Sequence, residues 1–323
     1  MSLLRWLLPW DFSVTVLTCC LTFVLLYARG VHRSRQSGTA APARWRQSLF
    51  YLGMLLIYIP LQTRYDYFAQ HMFWMHRLQH FLLHDFASLM VALAFPWPVL
   101  GAGLPSRWHA PLRRLWQSAP LRATYAILTQ PLIAFTLFVG LIYLWLWPSV
   151  HFRAMLSLRE YKCMNWSVAV DGLLFWSLIL DPRSKAEGAA MHLGPRIFLA
   201  LLTMVPETII GAYLSLHQGV VYTVYAVCGR LWPVDAVTDQ QLGGLIVWIP
   251  ASMMCSFAAL IVLRRWMYHD ELVRSRGRVV ATVAGGAATR PFPAVARTAA
   301  ALPAAAAAVT GTALDLPALA GEP

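Results

Sequence analysis

Seven stretches of this chain are apolar for long enough to approach the thickness of a lipid bilayer, and that repetition constrains the fold more than any other feature. They lie near 11–28, 47–62, 77–100, 122–147, 165–181, 195–216 and 241–263. A helix needs about 20 residues to span the hydrocarbon core, so the second and fifth are short for the task. Soluble domains carry about 25% charged residues. Here 12% are charged and 59% apolar, more apolar surface than a soluble fold of this size can hide, and lipid must cover part of it. The reading is an all-α polytopic bundle of about seven spans over 1–265, embedded in the bilayer. An Ala/Pro-rich tail, 266–323, follows it and is expected to be disordered, because after about Gly277 its composition, as in "LPAAAAAVTGTALDLPALAGEP", has little to build a core from.

The net charge of +12 does not point to nucleic acid. The basic residues sit in short clusters between the apolar runs, where they set membrane topology. Alternate connecting segments hold 19 and 7 of the Lys and Arg residues. The richer set includes Arg33, Arg113, Arg183 and Arg265, and the positive-inside rule assigns it to the cytoplasm. The N-terminus is then outside and the C-terminus inside, as an odd number of spans requires. The five cysteines form no CxxC or disulfide spacing. The first apolar run, Phe12 to Tyr27, has no small-residue cleavage site after it, so it does not read as a cleaved signal.

The densest chemistry is in "HMFWMHRLQHFLLHDF", residues 71–86. His76, His80 and His84 recur at i, i+4 and i+8. Each step turns ~40° around a helix, so they form one slanting stripe, which Met72 extends by one turn. Neighbouring imidazoles at this spacing can share a metal ion. Imidazole together with thioether suits copper. The orientation puts this stripe and His217 toward the outer side. The competing reading is a stripe that packs against polar partners and binds nothing. Asp85, Asp171 and Glu207 are ionisable groups within apolar runs, costly there and therefore candidates for function or for hydrogen bonds between helices. Pro206, just before Glu207, is expected to kink the sixth span. Asp239 and Gln240 open the seventh span in "DQQLGGLIVWIP", where Asp239 also suits a helix cap. Gly243 and Gly244 permit close helix approach. No P-loop, GxGxxG, HExxH or GxSxG pattern occurs, and nothing suggests turnover chemistry.

"HRLQHFLL", "MVPETIIGAYLS" and "DQQLGGLIVWIP" together resemble the CtaG-like family, the assembly factors of caa3-type cytochrome c oxidase. The similarity covers about residues 45–265. It implies a multi-pass protein of the bacterial inner membrane that helps mature a haem-copper oxidase through copper delivery. By resemblance His76, Gln79 and His80 take the places of the family's His, Gln and His, and Asp239, Gln240 and Gly243 those of its DQ-x-x-G. The chain departs from the pattern at Arg77, where the family has Met. It departs again at "WPSVHF", where His151 is displaced from Trp147 relative to the family's WHxP.

The function expected is thus non-enzymatic. Copper binds transiently at His76 and His80, with Met72, His84 or His217 completing the shell, and passes to oxidase subunits or a copper chaperone. Two rivals use the same residues. In one, haem is held between His80 or His84 and His217. In the other, copper or another cation is transported along Asp85, Asp171 and Glu207.

Overall fold

The computed structural model describes residues 11–38 and 40–288. Among these the chain is helical, with no strand. The helices are α1 (Val14–Gln36), α2 (Arg44–Gln62), α3 (Tyr65–His71), α4 (Phe73–Ala94), α5 (Trp97–Gly103), α6 (Ser106–Gln117) and α7 (Ala119–Leu128). After them come α8 (Pro131–Leu146), α9 (Pro148–Leu156), α10 (Leu158–Ile179), α11 (Leu193–Leu216), α12 (Val224–Cys228) and α13 (Ala236–Ala288).

Three helices are long and apolar enough to cross a membrane: α1, α11 and the Ala236–Glu271 part of α13. The number is five if α4 with α5, and α7 with α8, each count as one bent span. The helices at the second and fifth expected spans fall short. Arg44 and Arg46 occupy the first turn of α2, while α10 carries Arg159, Glu160, Lys162 and Asp171. The membrane character itself is plain. Phe198, Leu216, Ile209 and Leu260 are among many large apolar side chains exposed on the outside of a bundle that also buries charged groups.

The bends have local causes. The third expected span is not one rod to residue 100. Phe95 adopts a left-handed backbone (φ 49°) and terminates α4, Pro96 follows, and α5 leaves at 68°. The fourth span breaks by 70° at Thr129–Gln130, where Pro131 starts α8. The segment before it is not a plain loop. α6 is a helix with no buried residue, basic at Arg107, Arg113 and Arg114 and apolar at Trp108, Leu112 and Trp116, a pattern suited to an interface. Pro206 does not end its helix, since α11 continues through it and Tyr143 donates its hydroxyl to the Pro206 carbonyl at 2.8 Å.

The first compact unit runs to Tyr268, and its core has two clusters, one among α1, α2, α4 and α10 and the other among α4, α8, α10, α11 and α13. α4 and α10 belong to both, so α4 is at the centre. From His269 the chain forms a second unit, helical through Ala288, where the tail had been expected to begin near 266. The remainder of that expected disordered segment, 289–323, lies outside the described residues.

Candidate functional site

The first turn of α4 is set from far away in the sequence. Met72 precedes the helix with an extended backbone and no capping side chain of its own. The cap comes from Asp239, whose Oδ2 accepts from the Phe73 amide at 3.1 Å and whose Oδ1 accepts from the Trp74 amide at 3.0 Å. Arg230 Nε approaches the same carboxylate at 3.5 Å. The sequence suggested Asp239 as a cap for its own helix. It caps a different one, and Asp235 accepts from the amides of Val237 and Thr238 instead. Gln240 holds the incoming loop, accepting from Val221 N at 2.7 Å and donating to Gly219 O at 3.1 Å. Gly243 lets α4 sit against α13, because a Cβ there would lie 2.3 Å from the Phe73 ring. The DQQLGG motif therefore seats the histidine helix.

Four residues along, α4 enters a cluster of imidazoles. The His76 ring centroid is 4.5 Å from that of His80, 5.2 Å from His151 and 5.9 Å from the Tyr161 ring. All four side chains are buried, His76 completely. Both ring nitrogens of His76 and Nε2 of His80 have no hydrogen-bond partner. Asn165 stands near His80, and its Oδ1 is unpartnered. Met72, one turn before His76, is fully buried. His151 is the member displaced from Trp147 in "WPSVHF". It is bonded at both nitrogens, Nδ1 to the Trp145 carbonyl and Nε2 to the Tyr225 hydroxyl, each at 3.0 Å. The carbonyl accepts only, so Nδ1 carries the hydrogen and the Tyr225 hydroxyl donates to Nε2.

Gln79 points away from this cluster. It donates to Pro60 O at 2.7 Å and Asp66 Oδ1 at 2.9 Å and accepts from the Tyr161 hydroxyl at 3.1 Å. Asp66, which no motif singled out, accepts two bonds besides the one from Gln79, from Tyr161 at 2.7 Å and Gln70 at 2.8 Å. Burial pushes the Asp66 carboxyl up, and the hydrogen bonds from Tyr161, Gln79 and Gln70 pull it back. The network fixes α4 to α3 and α10.

The expected stripe then divides. Phe81–Phe86 form a π turn, with i→i+5 bonding. Two carbonyls beside it take side-chain donors: His84 O accepts from Trp176 Nε1 at 3.0 Å and Leu83 O from Ser88 Oγ at 2.5 Å. His84 stacks on Phe138 at 3.9 Å. Its Nε2 lies 3.2 Å from Asp171 Oδ2 and its Nδ1 3.7 Å from Asp85 Oδ2. Gly172 makes this possible, since a Cβ there would come 2.2 Å from the His84 carbonyl oxygen. Asp85 Oδ1 and Glu207 Oε1 lack partners, and Glu207 Oε2 is 4.0 Å from Cys255 Sγ. A cavity of about 30 Å³ separates the two groups, with Arg77, His80, His84, Asp85 and Glu207 in its wall. It has room for about two waters. His217 belongs to neither group; it ends α11 with its ring 5.2 Å from Tyr213.

Among the described residues no three His, Cys, Asp or Glu side chains are placed to hold a metal ion together. The arrangement offers an adjacent imidazole pair, His76 and His80, with a buried thioether one turn away.

The sequence pattern of the family described as cytochrome c oxidase caa3 assembly factor matches residues 25–269, a stretch that contains both groups. The chain belongs to this assembly-factor family. Uncharacterized proteins of Mycobacterium bovis and Mycobacterium tuberculosis are similar to it, each 24% identical over 292 residues. The matched region is 85% of this assembly-factor family member and 42% of each mycobacterial chain, so it spans less than half the length of those relatives. No solved structure matches it.

Proposed function

We propose that this family member assists maturation of a caa3-type oxidase in the bacterial inner membrane by holding copper at His76 and His80 and passing it to an oxidase subunit or a copper chaperone. The observation that carries the reading is His76, which is completely buried yet has no hydrogen-bond partner on either ring nitrogen. Leaving such a group unsatisfied costs about 1–3 kcal/mol, and a histidine kept only for packing is expected to be bonded, as His151 is. A ligand that takes a nitrogen lone pair removes part of that cost. Copper(I) suits the two imidazoles, with the buried Met72 thioether as the proposed third donor. His151 then supports the pair, its ring fixed by Trp145 and Tyr225. A cleft of about 340 Å³ between α9 and residues 221–224 has His151 in its wall and is the approach route in this reading. The protein binds and releases the ion without turnover chemistry. The orientation is N-terminus outside and C-terminus inside, supported by the distribution of basic residues.

The test is complementation of a strain lacking the gene, grown in copper-limited medium. His76→Ala and His80→Ala are expected to accumulate normally in the membrane, to carry less copper on purification, and to lower oxidase activity. His109→Ala, on the basic side, serves as the control. Full oxidase activity with both variants sinks the reading. A Soret band in the purified wild type would replace copper with haem.

A further inference from the structure

Arg77 is the departure from the family pattern, and a copper site does not explain it. The side chain is 2% exposed. Among the described residues it forms no ion pair, and its Nε has no hydrogen-bond partner. One end of the guanidinium reaches the imidazole cluster, with Nη2 3.5 Å from His80 Nδ1. An arginine can only donate, so in this contact it occupies a lone pair that a metal ion would need. Its flat face lies over Phe73, with Cζ 5.4 Å from the ring centroid.

Arg77 also lines the small cavity. Asp85 and Glu207 share that cavity wall, and each presents a carboxylate oxygen without a partner, Oδ1 and Oε1. A buried cation without a counter-ion and buried carboxylate oxygens without donors border the same space. Each is costly within a membrane protein, and each is what the other lacks. Arg77 thus has two places to rest, His80 or the carboxylates.

Resting on the copper reading, the geometry points to Arg77 as a tethered cation that competes with the metal. With no metal bound, its guanidinium holds His80. When copper enters the His76–His80 pair, like charges repel, and the guanidinium moves across the cavity to pair with Asp85 and Glu207. The return swing displaces the ion, which gives a delivery protein a built-in means of release. The specificity follows: the site disfavours ions of higher charge more strongly than copper(I).

The experiment measures Cu(I) affinity of the full-length protein in detergent by competition with a chromogenic Cu(I) chelator. Arg77→Leu, which removes the charge and adds no metal donor, is expected to tighten binding by about 10-fold or more, and Arg77→Lys to stay near wild type, because the buried charge decides the competition. Glu207→Gln is expected to weaken binding about 5-fold in the Arg77 protein and to have no effect in the Arg77→Leu background, the signature of coupled residues. If Arg77→Leu fails to accumulate, Arg77→Gln is judged by the same criterion. Wild-type binding with a neutral-Arg77 variant within about 2-fold of it overturns this inference and leaves the copper reading standing. So does a Glu207→Gln effect that persists without Arg77. Absence of Cu(I) binding in both wild type and the neutral variant overturns the copper reading and this inference with it. Binding by the neutral variant alone supports the competition.

Discussion

His76 and His84 lie two turns apart on α4, 0% and 2% exposed, and differ in every hydrogen-bonding respect. His84 has a carboxylate near each ring nitrogen, an aromatic ring stacked on its face, and a tryptophan on its carbonyl. His76 has two bare nitrogens and, as ring neighbours, His80, His151 and Tyr161. Burial alone therefore says little about a membrane histidine. The partners decide. A desolvated imidazole flanked by acids is committed to holding helices together, whereas one left without partners is available to a ligand. The same helix carries both because the π turn at Phe81–Phe86 changes the register between them.

The comparison is broken most forcefully at Gly172. Valine there drives side-chain atoms into the backbone of α4, where a Cβ already lies 2.2 Å from an oxygen. Overpacking of this kind costs about 1–3 kcal/mol, and more where backbone must move. We expect most of the protein to be lost from the membrane fraction and the rest to elute as aggregate in size exclusion. A well-folded Gly172→Val protein means that α4 and α10 are not held together here.

A smaller effect is expected at Asp171. Asparagine removes one acid from His84 and leaves the partly buried pair broken, at about 2–3 kcal/mol or less given its partial exposure. Thermal unfolding in detergent should shift down, with Cu(I) affinity within about 2-fold of wild type because the imidazole pair is untouched. A loss of affinity as large as the loss of stability would mean that the two groups act as one site.

His76→Ala should give the reverse result, with the smallest change in stability. Alanine deletes two unpartnered buried nitrogens, a gain of about 1–3 kcal/mol, and leaves a space whose cost is similar. The unfolding temperature should move little in either direction while copper binding falls steeply. A clear drop in unfolding temperature would show that His76 is bonded in the folded protein and is structural after all.

Much of this was legible from residue order, because the relevant physics is local. Apolar run length and the scarcity of charge demanded an all-helical membrane protein, and hydrophobic neighbours along a run are all that such a demand needs. The spacing of His76 and His80 put them on one face, since four residues nearly complete a turn, and their rings do meet. The departure at Arg77 was also visible, though not what it touches.

Residue order was silent wherever a group's partner lies far along the chain or where the helix leaves its regular period. Asp239 reads as a cap, but which helix it caps depends on how α13 packs against α4. His84 falls in the stripe by counting, and only the π turn and the nearness of Asp171, permitted by Gly172, assign it elsewhere. Asp66 is unremarkable in sequence and His151 stands there only as a displaced motif residue, yet both are central in space, because their bonds run to Tyr161 and Tyr225 on other helices. Local periodicity fixes which way a side chain leaves its own helix. What it meets there, and so whether a buried histidine is occupied or open, is set by the packing of helices that the sequence places tens of residues apart.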